Sequence, residues 1–237
     1  MTGMQTRRLF LNRLDPAPES HDVVVAIDVL RSFTTAAYAI AAGASAIYPV
    51  DTVAGAIHLG KVLPDALSTG AIAGGDPIPG FDFGNSPTAL AATQLNGQAL
   101  IQCTAAGVRG LSRFTHARAL FAGSLVCAQA TARAILSLQP DEVVFLITGE
   151  WVDRDGDEDI CCADYLEALL RGETPDPTPF EARVRHSDFG RRFTAGTNPN
   201  LPLSDLDLCA QADRFDFSLR ARRENGRLVL LPETVTS

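Results

Sequence analysis

Between residues 23 and 170, short apolar runs alternate with longer segments rich in alanine and leucine. The runs at 23–27, 46–50, 71–73, 99–102, 120–122 and 143–147 carry no charge, which is the composition of strands buried on both faces. Helices are predicted in the gaps, over 32–42, from near Glu158, and most clearly over 125–138, with Ser124 as its cap and Pro140 beyond its end. Such alternation predicts an α/β fold with a largely parallel or mixed sheet. From 171 to 200 the chain turns to Pro175, Pro177, Pro179, Gly190, Gly196 and Pro199 among charges, which reads as an irregular excursion over the surface, a lid or a connector. Ser204 with Asp207 then makes a helix start. The dipeptide Asn225-Gly226, between 217–222 and 228–231, signals a hairpin, so the chain is expected to close with an antiparallel element. The expected unit is one domain over 1–237, with two closely packed lobes, about 20–170 and 171–237, as the variant arrangement.

Charge narrows the function. A net charge of −8 with a single lysine, Lys61, excludes a nucleic-acid surface, because phosphate backbones are held by clustered cations. An anionic ligand would have to be met by arginine and backbone N–H groups. No stretch approaches the ~18 apolar residues of a membrane span, and the apolar patch at 9–11 is too short for a signal-peptide core. A cytoplasmic location is expected. Five cysteines without a Cys-x-x-Cys pair read as reduced thiols, and His21, His58, His116 and His186 show no metal-ligand spacing.

In parallel α/β sheets, ligands gather beyond the carboxyl ends of the strands, and here those positions are polar. Asp28 ends the first apolar run, where a carboxylate can ligate a hard cation, attack an electrophile or cap the next helix. Arg31, Ser32, Thr34 and Thr35 follow, a guanidinium and hydroxyls suited to an anion or to ordinary capping. The third run leads to Gly74-Gly75-Asp76 and then to Gly80-Phe81-Asp82-Phe83-Gly84-Asn85-Ser86-Pro87, whose glycines and proline suit a turn but do not need Asp82 and Asn85 as well. Thr104 and Gly107 follow the fourth run. Past 143–147 lies an acidic loop, Asp153 to Asp159, whose spacing is not that of an EF-hand; Glu158 and Asp159 suit a metal site and a helix N-terminus equally.

These segments, in this order, resemble the 2-phosphosulfolactate phosphatase (ComB-like) family. The likeness begins at Val24-Val25-Ala26-Ile27-Asp28-Val29-Leu30-Arg31-Ser32, is most specific at Gly80 to Pro87, and resumes at Gly123-Ser124 and Glu158-Asp159. The resemblance implies a three-layer α/β/α fold, bound Mg²⁺, and hydrolysis of a phosphate monoester of a small sulfonated or carboxylated acid. It implies catalytic roles for Asp28, Arg31 and Asp82, with Asp28, Glu158 and Asp159 around the metal. It further implies that Ser32, Thr34, Asn85, Ser86, Thr104, Gly107 and Arg109 hold the small anionic phosphorylated substrate. A homodimer stays open as the assembly.

The chain departs from the family pattern where Gly-Glu-Arg becomes Gly74-Gly75-Asp76, and where Thr-Thr-Asn-Gly-Thr-Arg becomes Thr104-Ala105-Ala106-Gly107-Val108-Arg109. Those losses motivate one rival reading, a non-catalytic phosphometabolite-binding protein on the same fold. A second rival is an isochorismatase-like cysteine hydrolase built on Asp28, Cys127 and Lys61.

Overall fold

A computed structural model describes residues 4–14, 21–72 and 74–235. Its strands are β1 (Gln5–Phe10), β2 (Val23–Ile27), β3 (Ile47–Val50), β4 (Leu67–Ala71), β5 (Phe83–Gly84), β6 (Leu100–Thr104), β7 (Ala119–Gly123), β8 (Glu142–Ile147), β9 (Ser218–Glu224) and β10 (Arg227–Glu233). The helices are α1 (Ser32–Ala41), α2 (Val53–Val62), α3 (Pro87–Ala91), α4 (Gly107–Arg113), α5 (Ala128–Ser137), α6 (Asp157–Leu170), α7 (Thr178–His186), α8 (Gly190–Thr194) and α9 (Leu203–Cys209). The strands form one sheet in the order β1-β8-β2-β7-β9-β10-β3-β6-β4-β5.

The sheet is mixed. Pairs from β1 to β7 and from β3 to β5 are parallel, while β7–β9, β9–β10 and β10–β3 are antiparallel. The expected C-terminal hairpin thus exists, turned at Asn225 and Gly226 with positive φ of 50° and 77°, as a two-residue hairpin turn of the primed type requires. It is not an appendage, because it joins the two parallel halves. Those halves run in opposite formal directions, yet the residues following β2 and β6 bond to each other directly. The two halves are joined loosely, since β10 meets β3 through a single residue pair, Leu230 with Ile47, and their contact is made where the turn after β2 meets the end of β6 and the start of α4.

Alternation along β2 sorts the core. Val23, Val25 and Ile27 pack on one face with α5, α6 and the later helices, while Val24 and Ala26 pack on the other with Phe33, Ala36 and Ala37 of α1. Helices therefore cover both faces of this strand, the three-layer α/β/α arrangement, and its charge-free sequence follows from double burial. Cys161 and Cys162 lie side by side in the first of these cores.

Several local expectations change. The strand placed at 71–73 is β4, earlier in the chain, where Thr69 satisfies its hydroxyl by donating to the Gly84 carbonyl; Ala73 lies outside the described residues. The helix expected over 125–138 opens with a 3-10 turn, Leu125–Cys127, and Ser124 does not cap it. Asp213 accepts from the Gln129 N–H near the start of α5 instead. The excursion at 171–200 contains α7 and α8, with Arg183 bonded to Asp157 and Asp164 of α6. Among the described residues no helix is long and apolar enough to cross a membrane.

Candidate active site

Asp28 leaves the carboxyl end of β2 and is buried. One carboxylate oxygen accepts from the Ser32 N–H at 2.9 Å, and the other accepts from the Gly107 N–H at 3.0 Å. Capping and site-building are therefore one arrangement here. Each oxygen keeps a further lone pair for a ligand. Gly107 has to be glycine, since a Cβ would sit 2.8 Å from the Asp28 Oδ2 and 2.9 Å from the Phe33 ring. The Ser32 and Thr104 hydroxyls, both buried, lie 3.0 Å apart. One bond between two hydroxyls consumes one proton and leaves the other available to a ligand.

Arg31 opens α1 with its side chain only 3% exposed, and it reaches a carboxylate that the sequence reading did not single out. Its Nη1 donates to Asp205 at 2.5 Å and to the Asn200 carbonyl at 2.9 Å. Asp205, fully buried in α9, also accepts from the Ser86 hydroxyl at 2.7 Å and the Thr88 N–H at 3.0 Å. Ser86 therefore caps α3 and serves the Arg31–Asp205 pair rather than a ligand directly. Asp76 holds the Asn200 side chain at 2.9 Å, which locks the 74–76 turn to the chain that approaches Arg31.

Around this centre Asp28, Arg31, Ser32, Asn85, Thr104, Gly149 and Arg154 line a cavity of about 80 Å³. Asn85 is buried with its Oδ1 unpartnered. A second cavity, of about 270 Å³, adjoins it through Gly74, Ala105, Ala106, Arg154 and Phe189, and carries Arg109, Trp151 and Arg192 on its outer wall. Arg154 belongs to both, with its guanidinium 4.8 Å over the Phe189 ring and a buried, unpartnered Nε.

Behind the small cavity, the start of α6 carries two buried acids. Asp159 is saturated by the backbone, taking Val29 N–H at 2.9 Å on one oxygen and Gly149 N–H at 2.7 Å on the other. Glu158 is different, because its Oε2 is buried without a partner. Burial pushes the Glu158 carboxyl up to about 7, with the Asp28 charge adding to the rise and Arg154 opposing it. Asp159 is raised well above the usual range by burial and then by the charges of Glu158 and Asp28.

Of these three buried carboxylates, Asp28 and Glu158 keep oxygen capacity for a hard cation, Glu158 through its orphaned Oε2. Among the described residues no three acidic, histidine or cysteine side chains converge to enclose an ion. Mg²⁺ takes one or two protein carboxylates and completes its shell with water and substrate phosphate, so Asp28 and Glu158 fit, while Asp159 fixes the ends of β2 and β8. In the chelated protein the folded state keeps protons that the unfolded chain releases, so stability falls as pH rises from about 4.5 to about 7. Thermal melts in chelator should show that fall, with Mg²⁺ reversing it above pH 7. A melting temperature that stays flat or rises across the window would remove the strained acid cluster.

Other expected residues stand elsewhere. Asp82 is exposed and accepts from the backbone N–H and hydroxyl of Ser68, at the opposite end of β4 from the cavity, so it is a turn residue. Thr34 is buried with its hydroxyl donating to the Val29 carbonyl, a bond that shapes the turn behind Asp28. Arg109 is exposed and reaches only the outer cavity. The cysteine-hydrolase reading fails on geometry. Cys127 is fully buried in an apolar cluster with its thiol pushed up by burial, and Lys61 is exposed on α2. The sequence reading does not single out Asp205, Asn200, Arg154 or Phe189, although Arg154 lies inside the acidic loop and Phe189 and Asn200 lie inside the 171–200 excursion.

By sequence the chain is similar to proteins of one family. The family model described as 2-phosphosulpholactate phosphatase matches residues 10–221. A protein of Carboxydothermus hydrogenoformans named probable 2-phosphosulfolactate phosphatase is 35% identical over 222 residues, covering 87% of this chain and 89% of its own. Similarly named proteins of Bacillus subtilis and Deinococcus radiodurans are 31% and 35% identical, over 86% and 84% of this chain and 88% of each of theirs.

Proposed function

The chain belongs to the 2-phosphosulpholactate phosphatase family, and from that premise we propose that it hydrolyses the phosphate monoester of a small sulfonated or carboxylated 2-hydroxy acid, with Mg²⁺ as cofactor. The observation that carries this reading is the small cavity itself. Asp28 is its one lining carboxylate among the described residues, and it shares the walls with Arg31, Asn85, Arg154 and the Ser32–Thr104 hydroxyl pair.

In this reading the phosphoryl group occupies the small cavity and the acid end occupies the larger one. Arg31, held from behind by Asp205, presents its remaining N–H groups to phosphoryl oxygens, where a fixed guanidinium stabilises charge on the transferring group. The free hydroxyl proton of the Ser32–Thr104 pair and the Asn85 amide complete the cradle. Asp28 faces the phosphorus, oriented by two N–H donors. Asp28 and Glu158 would hold Mg²⁺, which supplies charge neutralisation on the phosphoryl oxygens. Arg154 and Arg109 meet the carboxylate or sulfonate, with Phe189 and Trp151 as the apolar walls. Ala105, Ala106 and Gly74 border both cavities and Gly75 lines the small one, so the departures from the family pattern fall where the phosphoryl end meets the acid end.

The test is phosphate release from a panel of phosphorylated acids, 2-phosphosulfolactate and phospholactate included, with Mg²⁺ and with chelator. Metal-dependent release is expected. Tight binding of a panel member without release at any Mg²⁺ concentration would replace the phosphatase with a binding protein, and release indifferent to chelator would remove the metal.

A further inference from the structure

A cavity larger than either of those at the acid site lies elsewhere on the molecule. It encloses about 440 Å³ and is walled by Thr115, Arg118, Leu138, Arg220, Arg222, Arg223 and Glu233, among others. It sits at the amino end of β7, whose first residue, Ala119, pairs with Val23 at the start of β2. Asp28 leaves the other end of β2, roughly 17 Å away along the strand. Four guanidinium groups against one carboxylate make this a cationic hollow on a chain of net charge −8.

Three of the four arginines are engaged, and one is not. Arg118 pairs with Asp22 and also reaches the Leu138 carbonyl. Arg222 pairs with Glu233 at 2.8 Å. Arg223 makes only long bonds, 3.3 Å to the Thr115 hydroxyl and 3.4 Å to the Gly226 carbonyl. Arg220 lies 4.6 Å over the ring of Phe121, which is fully buried, and its Nη1 is buried without a hydrogen-bond partner. Burial disfavours its charge, Glu233 offsets that, and the like charges of Arg222 and Arg118 add to it. A buried charged donor left unmade is costly, and here the residue that carries it lines a hollow flanked by three more forks of the shape that binds phosphate.

We propose that this hollow is a second anion site, centred on Arg220 and taking a small phosphate-like oxyanion in a bidentate grip. Arg220 supplies the desolvated fork, held flat by Phe121; Arg223 can exchange its two long bonds for the ligand; Arg222 turns between the ligand and Glu233. The ligand is either free inorganic phosphate or the phosphoryl end of a small metabolite. The site stands or falls independently of the reaction proposed for the Asp28 cavity.

The experiment is isothermal titration of the full chain with inorganic phosphate, in chelator and at constant ionic strength. It is repeated with methylphosphonate, which presents the same oxyanion on carbon and is not hydrolysed. The variants are Arg220→Met, which keeps an apolar stem on Phe121, and Glu233→Gln, which removes the competing carboxylate and leaves the core untouched. Wild type is expected to show a phosphate site that R220M weakens by about ten- to a hundredfold and that E233Q tightens. Binding of methylphosphonate with the same response points to a metabolite's phosphoryl end, and binding of inorganic phosphate alone points to the free ion. Phosphate binding identical in wild type, R220M and E233Q would overturn the proposal. So would a self-association that R220M dissolves and phosphate leaves unchanged, since the hollow would then be filled by a second copy.

Discussion

Asp28→Asn should lower the rate of phosphate release by about a thousandfold or more, the scale on which removing one charged group facing the reacting centre is felt. The substitution keeps size and shape, so its effect is chemical. A carboxylate offers two acceptor oxygens, and Asp28 spends one on the Ser32 N–H and the other on the Gly107 N–H. An amide offers only one, so one of those N–H groups would face an NH₂ instead, at about 1–3 kcal/mol of stability. The activity loss is expected to exceed that stability loss well below the melting temperature, because on the proposed reading the variant also lacks the negative charge that faces phosphorus and shares the cation. Initial rates with saturating Mg²⁺, alongside thermal melts, separate the two. A D28N protein that turns over within tenfold of wild type would take Asp28 out of the chemistry and leave it as a cap on α1.

The parts of this site that could be read from the sequence are those set by one strand and its following turn. Asp28, Ser32 and Thr104 follow charge-free runs, and the rule that ligands sit beyond strand carboxyl ends is enough to gather them. Asp82 defeated the same reasoning. It lies in a glycine-rich loop with Asn85, and a loop motif does not say which side chains turn inward; Asn85 does, while Asp82 bonds to Ser68 at the far end of β4. Glu158 and Asp159 were ambiguous for a physical reason, since acids at a helix start are favoured by the helix dipole whether exposed or buried. Burial is what separates them from ordinary capping acids, and burial is a tertiary property.

The fold shows the same division. The hairpin at Asn225-Gly226 is a local signal and is present, but its insertion between β7 and β3 depends on pairings with strands about a hundred residues or more away, such as Leu120 with Ala221 and Leu230 with Ile47. Strand β1 escaped notice because Arg7 and Arg8 break its apolar run; at the sheet edge Arg8 can leave the strand to pair with Asp164 and Glu167 of α6. The segment at 171–200 looked irregular because its prolines were read as breakers, whereas Pro179 sits in the first turn of α7, where a proline costs nothing.

Asp205→Asn should have the second large effect, on a residue placed to touch no ligand. Arg31 and Asp205 are separated by 174 positions and almost wholly desolvated. Removing one charge of such a pair strands the other, at about 3–5 kcal/mol. For a chain of this size that lowers the melting temperature by roughly 6–20 °C. If Asp205 acts only on stability, kcat/KM measured far below melting will match wild type, and its role as a positioning residue is lost. The expected result is a fall of about ten- to a hundredfold in kcat/KM, because Arg31 then loses its charged partner and keeps the Asn200 carbonyl, the Phe193 ring and the distant Gly75 carbonyl at 3.5 Å, and angular freedom at a phosphate clamp costs rate. Arg31→Lys supplies the comparison. A lysine keeps the charge and one contact to Asp205 but not the planar fork, so its melting temperature should fall less than that of D205N while its kcat/KM falls at least as far. That crossing of the two measurements cannot arise from stability alone, since the less destabilised variant would be no more active than the other.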